Sequence, residues 1–201
     1  MLLNINIIFI LSFYLLGTLP FALIIPKIFG YGDIRKIGSG NVGATNVLRM
    51  GNQFLAFSVL FLDILKGFVP FIILNLYFDE LSLFLKIFLC HFAILGHIFP
   101  IWLKFKGGKG VATYIGFLFG LNIFAGIFFL FVWLVIAAIT KYSSLSSLAA
   151  SLIVSIYLFF IGFNNFTTLF LLYLFLIIAF KHSENIKRLI NRTENRIKLS
   201  K

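Results

Sequence analysis

The chain is 201 residues long, 61% hydrophobic and only 11% charged, with a mean hydropathy of +1.08. A soluble domain is about half apolar and about a quarter charged, so these proportions exclude one and indicate a polytopic membrane protein. The net charge of +11 does not point to nucleic acid, because the basic residues sit in short loops beside apolar runs, the pattern of cytoplasmic orientation and anionic ligands next to a lipid bilayer.

Residues 4–25 form the first apolar segment, long enough to cross a bilayer, with Gly17 and Pro20 placed to kink it. The segment lacks a basic leader and a small-residue cleavage site, and so reads as a retained span. Residues 26–50 read as a polar loop carrying Lys27, Arg35, Lys36 and Arg49 against a lone Asp33. Residues 54–76 form the second span. Asp63 and Lys66 lie three apart on one of its faces and are expected to pair inside the protein. The following turn holds Asp79 and Glu80 and no basic residue, which places it outside. In the third span, residues 81–102, Lys86 near the outer end is expected to snorkel to water. His91 is expected to be a hydrogen-bonded interior histidine, since no partner stands at metal-binding spacing. Cys90, the single cysteine, excludes an intramolecular disulfide and suggests no thiolate metal cluster.

Residues 111–140 are apolar for longer than one span needs, and Gly116, Gly120, Asn122 and Gly126 interrupt the middle. Read as one helix, this run would put the central basic loop and the basic tail on opposite sides. Cut near Asn122, it leaves every basic loop on one side, as the positive-inside rule favours. The first half, residues 111–121, is short for a full crossing and is expected to be buried among its neighbours. Spans over 145–161 and 166–180 come next, joined by an uncharged turn at 162–165. The tail from 181 to 201 carries seven basic and two acidic residues. The expected fold class is an all-α polytopic membrane protein of about seven transmembrane segments, N-terminus outside and C-terminus cytoplasmic, forming one domain over 1–201.

The polar stretches then fall on one face. Residues 104–110 place three lysines (Lys104, Lys106, Lys109) and three glycines (Gly107, Gly108, Gly110) between long apolar runs. Glycines let the backbone approach a ligand, successive N–H groups can form an anion-binding concavity, and a helix starting at Val111 would aim its positive end there. A purely topological loop would need the lysines but not the glycines. Residues 39–49 are packed with small hydroxyl and amide donors and end in Arg49, a set able to wrap phosphate oxygens. Neither loop has P-loop spacing, so nucleotide hydrolysis is not indicated. His182 and Asn185 would share a face if the last helix continues. There is no His followed five residues later by Asp, and no carboxylate cluster for Mg²⁺.

Three stretches together resemble the bacterial acyl-phosphate:glycerol-3-phosphate acyltransferase (PlsY) family. They are Ser39-Gly40-Asn41-Val42-Gly43-Ala44-Thr45-Asn46…Arg49; Gly96-His97…Phe105-Lys106-Gly107-Gly108-Lys109-Gly110-Val111-Ala112-Thr113; and His182…Asn185-Ile186…Arg188-Leu189…Thr193-Glu194. Asp63-Ile64-Leu65-Lys66-Gly67 and Lys141-Tyr142-Ser143-Ser144 also look like that family, and the resemblance covers the whole chain. It implies transfer of a fatty acyl group from acyl phosphate to the 1-hydroxyl of glycerol 3-phosphate, giving 1-acyl-glycerol 3-phosphate and phosphate, with no metal, coenzyme A or other cofactor. This is the first acylation step of bacterial phospholipid synthesis, in the cytoplasmic membrane with the site facing the cytoplasm.

By the same resemblance, Ser39, Arg49, Lys109, His182 and Asn185 are the catalytic set. Gly40, Asn41, Gly43, Thr45 and Asn46 would join Ser39 around the acyl-phosphate head. His97, Lys104, Gly107, Gly108 and Gly110 would line the substrate site, Ser144 or Ser147 would help Arg49, Lys109, His182 and Asn185 bind glycerol 3-phosphate, and Glu194 is structural. A soluble enzyme that makes acyl phosphate is a candidate partner on the basic face. One position departs from the family pattern: Arg192 stands where glycine usually precedes the Thr-Glu pair.

The chemistry suits these residues. An acyl phosphate is a mixed anhydride with a good leaving group, so cations and oriented donors count for more than a strong base. The donor's own phosphate would take the proton, the family's proposed substrate-assisted route. Two other classes compete. A transporter for a phosphate-bearing solute predicts midplane or two-sided polar features and repeats, whereas here the charge crowds one face. A scaffold binding anionic lipid needs only the tail and leaves the Gly-rich loops without a purpose.

Overall fold

The computed structural model describes residues 2–197, and those residues form helices joined by turns and loops, without a strand. The last residues of the basic tail, 198–201, lie outside the described residues. The chain divides into two compact units, one up to Leu121 and one from Asn122 onward.

The first unit opens with α1 (Leu2–Thr18) and α2 (Phe21–Ile28), which meet at Leu19-Pro20 with a 42° bend. Pro20 cannot donate an N–H, so the expected kink becomes a break. Residues 29–50 hold a short 3₁₀ turn (Ile34–Lys36) and helix α3 (Ala44–Leu48). This loop is not merely polar. Ile34, Val42 and Val47 are buried with Ala22, Leu55, Ala56 and Val59, so apolar anchors at intervals fasten it to α2 and to α4 (Gln53–Tyr77). The Asn52 side chain caps α4 by accepting the Leu55 N–H at 3.0 Å. Next come α5 (Leu83–Ile98) and α6 (Val111–Leu121).

Glycines decide how closely these helices pack. A Cβ added to Gly17 would lie 2.1 Å from the Ala93 carbonyl oxygen, and one on Gly96 would lie 2.1 Å from that of Tyr14, so α1 and α5 touch backbone to backbone. A Cβ on Gly67 would lie 1.9 Å from the Thr113 oxygen, and one on Gly116 would lie 1.8 Å from that of Ile64, which joins α4 to α6 in the same way. In a bilayer, small residues at a helix interface replace the missing hydrophobic drive with close van der Waals contact. Gly116 and Gly120 therefore pack α6 against α4 rather than interrupting it. The break falls at Asn122, whose side chain caps α7 (Ile123–Thr140) through the Ala125 N–H at 3.0 Å.

The second unit continues with α8 (Ser143–Phe160), α9 (Asn165–Lys181) and α10 (Ser183–Ile190). Ser146, Ser147, Ser151 and Ser155 are buried along α8, each donating to the carbonyl four residues back at 2.7–2.9 Å. Polar groups held this way can lie in an apolar medium. Trp133 Nε1 donates to Ser147 Oγ at 3.0 Å and pins α7 to α8.

Four helices are long and apolar enough to cross a bilayer, and six if each bent pair, α1 with α2 and α9 with α10, counts as one span. The chain is thus a multi-pass membrane protein. Helix α6, at 11 residues, is the short apolar helix expected there, buried from Thr113 to Leu118. Its length of roughly 16 Å falls short of a hydrocarbon core of about 30 Å. Lys86 reaches outward along α5. Its stem is buried, 6% exposed overall, while its ammonium reaches Asn75 Oδ1 at 3.0 Å and Asp79 Oδ1 at 3.2 Å, the latter an exposed carboxylate in the outer turn. His91 is buried as expected, with Nδ1 against the Phe88 carbonyl.

Candidate active site

In the first unit the site is built from two loops. Loop 33–49 begins at Asp33, which accepts the Arg35 N–H at 3.0 Å and pairs with its guanidinium at 2.6 Å. Hydrogen bonds from the Arg35 side chain and then its backbone hold the Asp33 carboxyl down at about 2. Asn46, 1% exposed, sits inside the loop. Its amide donates to the carbonyls of Ile34 and Ile37 at 2.9 and 3.0 Å, and its Oδ1 accepts the Ser39 N–H at 3.1 Å. The family resemblance puts Asn46 among the groups touching substrate; here its polar atoms hold the loop that presents Ser39, which is exposed. Gly38 and Gly40 have φ of 58° and 67°, and a Cβ on Gly38 would fall 2.4 Å from Asn46 Oδ1. Gly40 is exposed, Asn41 and Gly43 are half-buried, and Thr45 is exposed on the first turn of α3. Arg49 caps the C-terminal end of α3, half-buried, with its Cδ beside Gly38.

Loop 99–110 turns through Ile101–Leu103 and then through Lys104 and Phe105, both left-handed at φ 51° and 61°. The expected nest of outward N–H groups does not form over its first part. Phe105, Lys106, Gly107 and Gly108 donate instead to the carbonyls of Pro100, Leu103, Ile98 and His97, at 3.0–3.2 Å. The loop needs these bonds to fold back on the end of α5. What remains for an anion is the first turn of α6, whose leading N–H groups have no intrahelical partner. Lys104 and Lys106 are exposed and Lys109 is half-buried. Gly110 makes the final turn at φ 84°, against Ile98.

The two loops meet at Gly108. A Cβ there would lie 2.1 Å from His97 Nε2 and 2.7 Å from the Val42 carbonyl oxygen, so neither contact survives a side chain. His97 is 8% exposed, and its Nδ1 stands 3.7 Å from Asp63 Oδ1. Asp63 and Lys66 form the expected pair at 2.6 Å, each 2% exposed. Lys66 also donates to the Leu19 carbonyl in the α1–α2 break and lies 4.7 Å over the Phe21 ring. A narrow cleft runs past Thr18, Pro20, Phe21, Lys66, His97 and Gly108. The i,i+3 spacing reveals Asp63 with Lys66. Nothing local in the sequence signals that His97 joins them.

In the second unit the polar cluster centres on Glu194. It accepts from Ser144 Oγ at 2.7 Å, Asn185 Nδ2 at 2.6 Å and Arg188 Nε at 2.8 Å. Burial alone would raise the Glu194 carboxyl, but hydrogen bonds from Asn185, Ser144 and Arg188 outweigh it and hold the carboxyl below the usual range. Asn185 and Ser144 are therefore set by Glu194, and Arg188 completes the clasp. Sequence reading leaves Arg188 without a role, and its only signal is its place in the last motif.

Helix α9 does not continue through His182. Helix α10 turns away by 67°, with His182 at the junction. His182 is 3% exposed and its Nδ1 donates to the Ile178 carbonyl at 2.8 Å. Ser147 is enclosed between α7 and α8. Among the described residues, no three His, Cys, Asp or Glu side chains group as metal ligands.

Known proteins resemble this chain over most of its length. A family model described as Glycerol-3-phosphate acyltransferase matches residues 7–192. A relative of that name from Pelagibacter ubique (strain HTCC1062) is 50% identical over 190 residues, covering 94% of this chain and 96% of its own. One from Agrobacterium fabrum (strain C58 / ATCC 33970) is 50% identical over 185 residues, covering 92% and 88%. Among solved structures, the glycerol 3-phosphate form of PlsY, an integral membrane glycerol 3-phosphate acyltransferase, superposes with a TM-score of 0.89 at 37% identity over 96% of each chain. Its lysophosphatidic acid form gives 0.88 at 36% identity over 96% of this chain and 95% of its own.

Proposed function

The chain belongs to the glycerol-3-phosphate acyltransferase family, and on that premise we propose that it transfers a fatty acyl group from acyl phosphate to the 1-hydroxyl of sn-glycerol 3-phosphate. The products are 1-acyl-sn-glycerol 3-phosphate and inorganic phosphate, in the first acylation of phospholipid synthesis. The hydroxyl oxygen bonds to the acyl carbon, the carbon–oxygen bond to phosphate breaks, and the hydroxyl proton leaves on the departing phosphate. No side chain need hold a proton for this balance, which fits a site rich in cations and amide donors.

The observation that carries the reading is the meeting of the two phosphate-suited loops at Gly108. Two anionic substrates repel each other, and cations and dipoles already oriented beside both offset that repulsion without reorganising. Ser39, with Gly40, Asn41, Gly43 and Thr45, holds the acyl-phosphate head. Arg49 and Lys109 neutralise the phosphate of glycerol 3-phosphate, and Lys104 adds to the field. By resemblance to the family's last motif, His182 and Asn185 also bind glycerol 3-phosphate, with Glu194 holding Asn185 and Ser144 in place. We read the whole chain, residues 1–201, as a single acyltransferase domain. The basic loops and tail face the cytoplasm at the inner membrane, with about seven crossings and the N-terminus outside. A soluble enzyme releasing acyl phosphate would deliver it to this face.

Phosphate release by the purified protein, given palmitoyl phosphate and glycerol 3-phosphate, tests the reading. Release that needs both substrates and drops at least a hundredfold in Lys109→Ala supports it. Well-folded protein that releases none sinks it.

A further inference from the structure

We propose that His97 is a positioning residue, a latch that ties loop 39–49 and loop 104–110 to the buried Asp63–Lys66 pair and so fixes where Lys109 stands. The kinetic part of this inference rests on the acyltransferase reading above; the structural part does not.

Three observations carry it. The imidazole is nearly enclosed, 8% exposed, and its two nitrogens face different elements. On one side Nδ1 stands 3.7 Å from Asp63 Oδ1. Asp63 is itself locked to Lys66, and Lys66 to the carbonyl that the α1–α2 break exposes. A buried pair whose lysine is held by both the carboxylate and the Leu19 carbonyl is a rigid base, because moving either ion leaves the other uncompensated. On the other side Nε2 lies against Gly108, at the spot where Gly108 also meets the Val42 carbonyl. The main chain of the same histidine holds the loop as well, since its carbonyl accepts the Gly108 N–H at 3.1 Å. Lys109 comes directly after Gly108. Its backbone therefore inherits whatever position the imidazole and the carbonyl impose.

A ring braced on one edge and seated on the other against the glycine where the two loops meet transmits rigidity rather than chemistry. Losing it should let Lys109 and the Ser39 loop drift. That weakens binding of both substrates in ground and transition states alike, a loss that appears in KM more than in kcat. A general base would show the reverse pattern.

The test compares His97→Leu, His97→Gln and His97→Asn in the full-length protein. Leu keeps bulk but no polar edge, Gln reaches the Nε2 position, and Asn reaches only the Nδ1 position. The expected result for Leu is a rise of at least tenfold in KM for both substrates, with kcat within about threefold of the parent. Gln should bring both KM values back to within about threefold, and Asn should not. Unchanged KM values in Leu, a fall confined to kcat, or Gln no better than Leu would overturn the latch.

A readout without turnover separates this from failure of the acyltransferase reading. Lys109→Cys is labelled with a maleimide, with fully buried Cys90 as the unreactive background, and the rate is compared with and without His97→Leu. The latch predicts at least tenfold faster labelling at 109, with Lys187→Cys in the other unit unaffected. Equal rates at 109 would overturn it, whether or not the parent protein shows activity. A rise at both positions would mark general unfolding and would also count against a specific latch.

Discussion

Arg192 has φ 58°, the left-handed region in which an L residue's Cβ crowds the next carbonyl. It stands directly after the C-cap Asn191 of α10. The Thr193 N–H reaches the Arg188 carbonyl at 2.8 Å and the Arg192 N–H that of Leu189 at 3.2 Å, the bonding of a Schellman turn. This explains why the family pattern carries glycine there and why the departure does not abolish the turn: Glu194 still reaches Ser144, Asn185 and Arg188. Arg192→Gly should therefore stabilise the protein by about 1 kcal/mol, read from thermal unfolding in detergent. No gain would mean that the arginine side chain contributes what the strain costs.

Glu194 gives a pH dependence. Its folded-state pKa lies below its unfolded value, so its contribution is complete above the ordinary glutamate range and is lost as pH falls through the depressed value. The second unit should lose protection from proteolysis as pH drops below about 4, and Glu194→Gln should be unprotected at neutral pH, at a cost of about 1–3 kcal/mol. Protection in Glu194→Gln equal to the parent at neutral pH would contradict this. His182→Gln separates two chemistries. Gln can occupy the Nε2 position but cannot take a proton, so near-parental turnover at saturating substrate is the expected outcome if the departing phosphate accepts the proton. A loss of a hundredfold or more would make His182 the base.

At the scale of elements, the close approach of α4 and α6 sets the position of the loop that carries Lys109. Gly67 and Gly116 face backbone oxygens, which cannot rotate aside. A Cβ on Gly120 would meet the buried Phe71 at its Cβ and ring, 2.5 Å away, a looser approach than the 1.8 Å at Gly116. Gly116→Ala should thus cost about 1–3 kcal/mol or more and lower activity with it, whereas Gly120→Ala should cost less. Thermal melts of the two variants decide the order. These roles are only half legible in the sequence. Glycines amid an apolar run suggest an interrupted span, and single-chain periodicity cannot distinguish a glycine that breaks a helix from one that lets a neighbour come close. Asn122 is legible as the break, because its side chain is suited to capping the next helix.

For the whole molecule, the proposed orientation puts residues 141, 187 and 192 on the cytoplasmic side and the 162–165 turn outside. Single-cysteine variants at Asn164 and Lys187, labelled with an impermeant maleimide in intact spheroplasts, should react at 164 and stay silent at 187 until the membrane is opened. The opposite pattern would invert the topology.

The sequence by itself determined the class and the family. Composition demands a bilayer, the basic loops carry the proposed orientation, and the glycine-, lysine- and amide-rich motifs point to the family, all of them local or additive properties. Tertiary structure decided which polar groups are available. It commits Asn46 to its own loop, Ser144 and Asn185 to Glu194, and the N–H groups of residues 105–108 to the end of α5, and it brings His97 beside Asp63 from 34 residues away. Those assignments depend on which carbonyls and carboxylates lie within about 3 Å, a matter of distance between remote segments that residue spacing cannot encode.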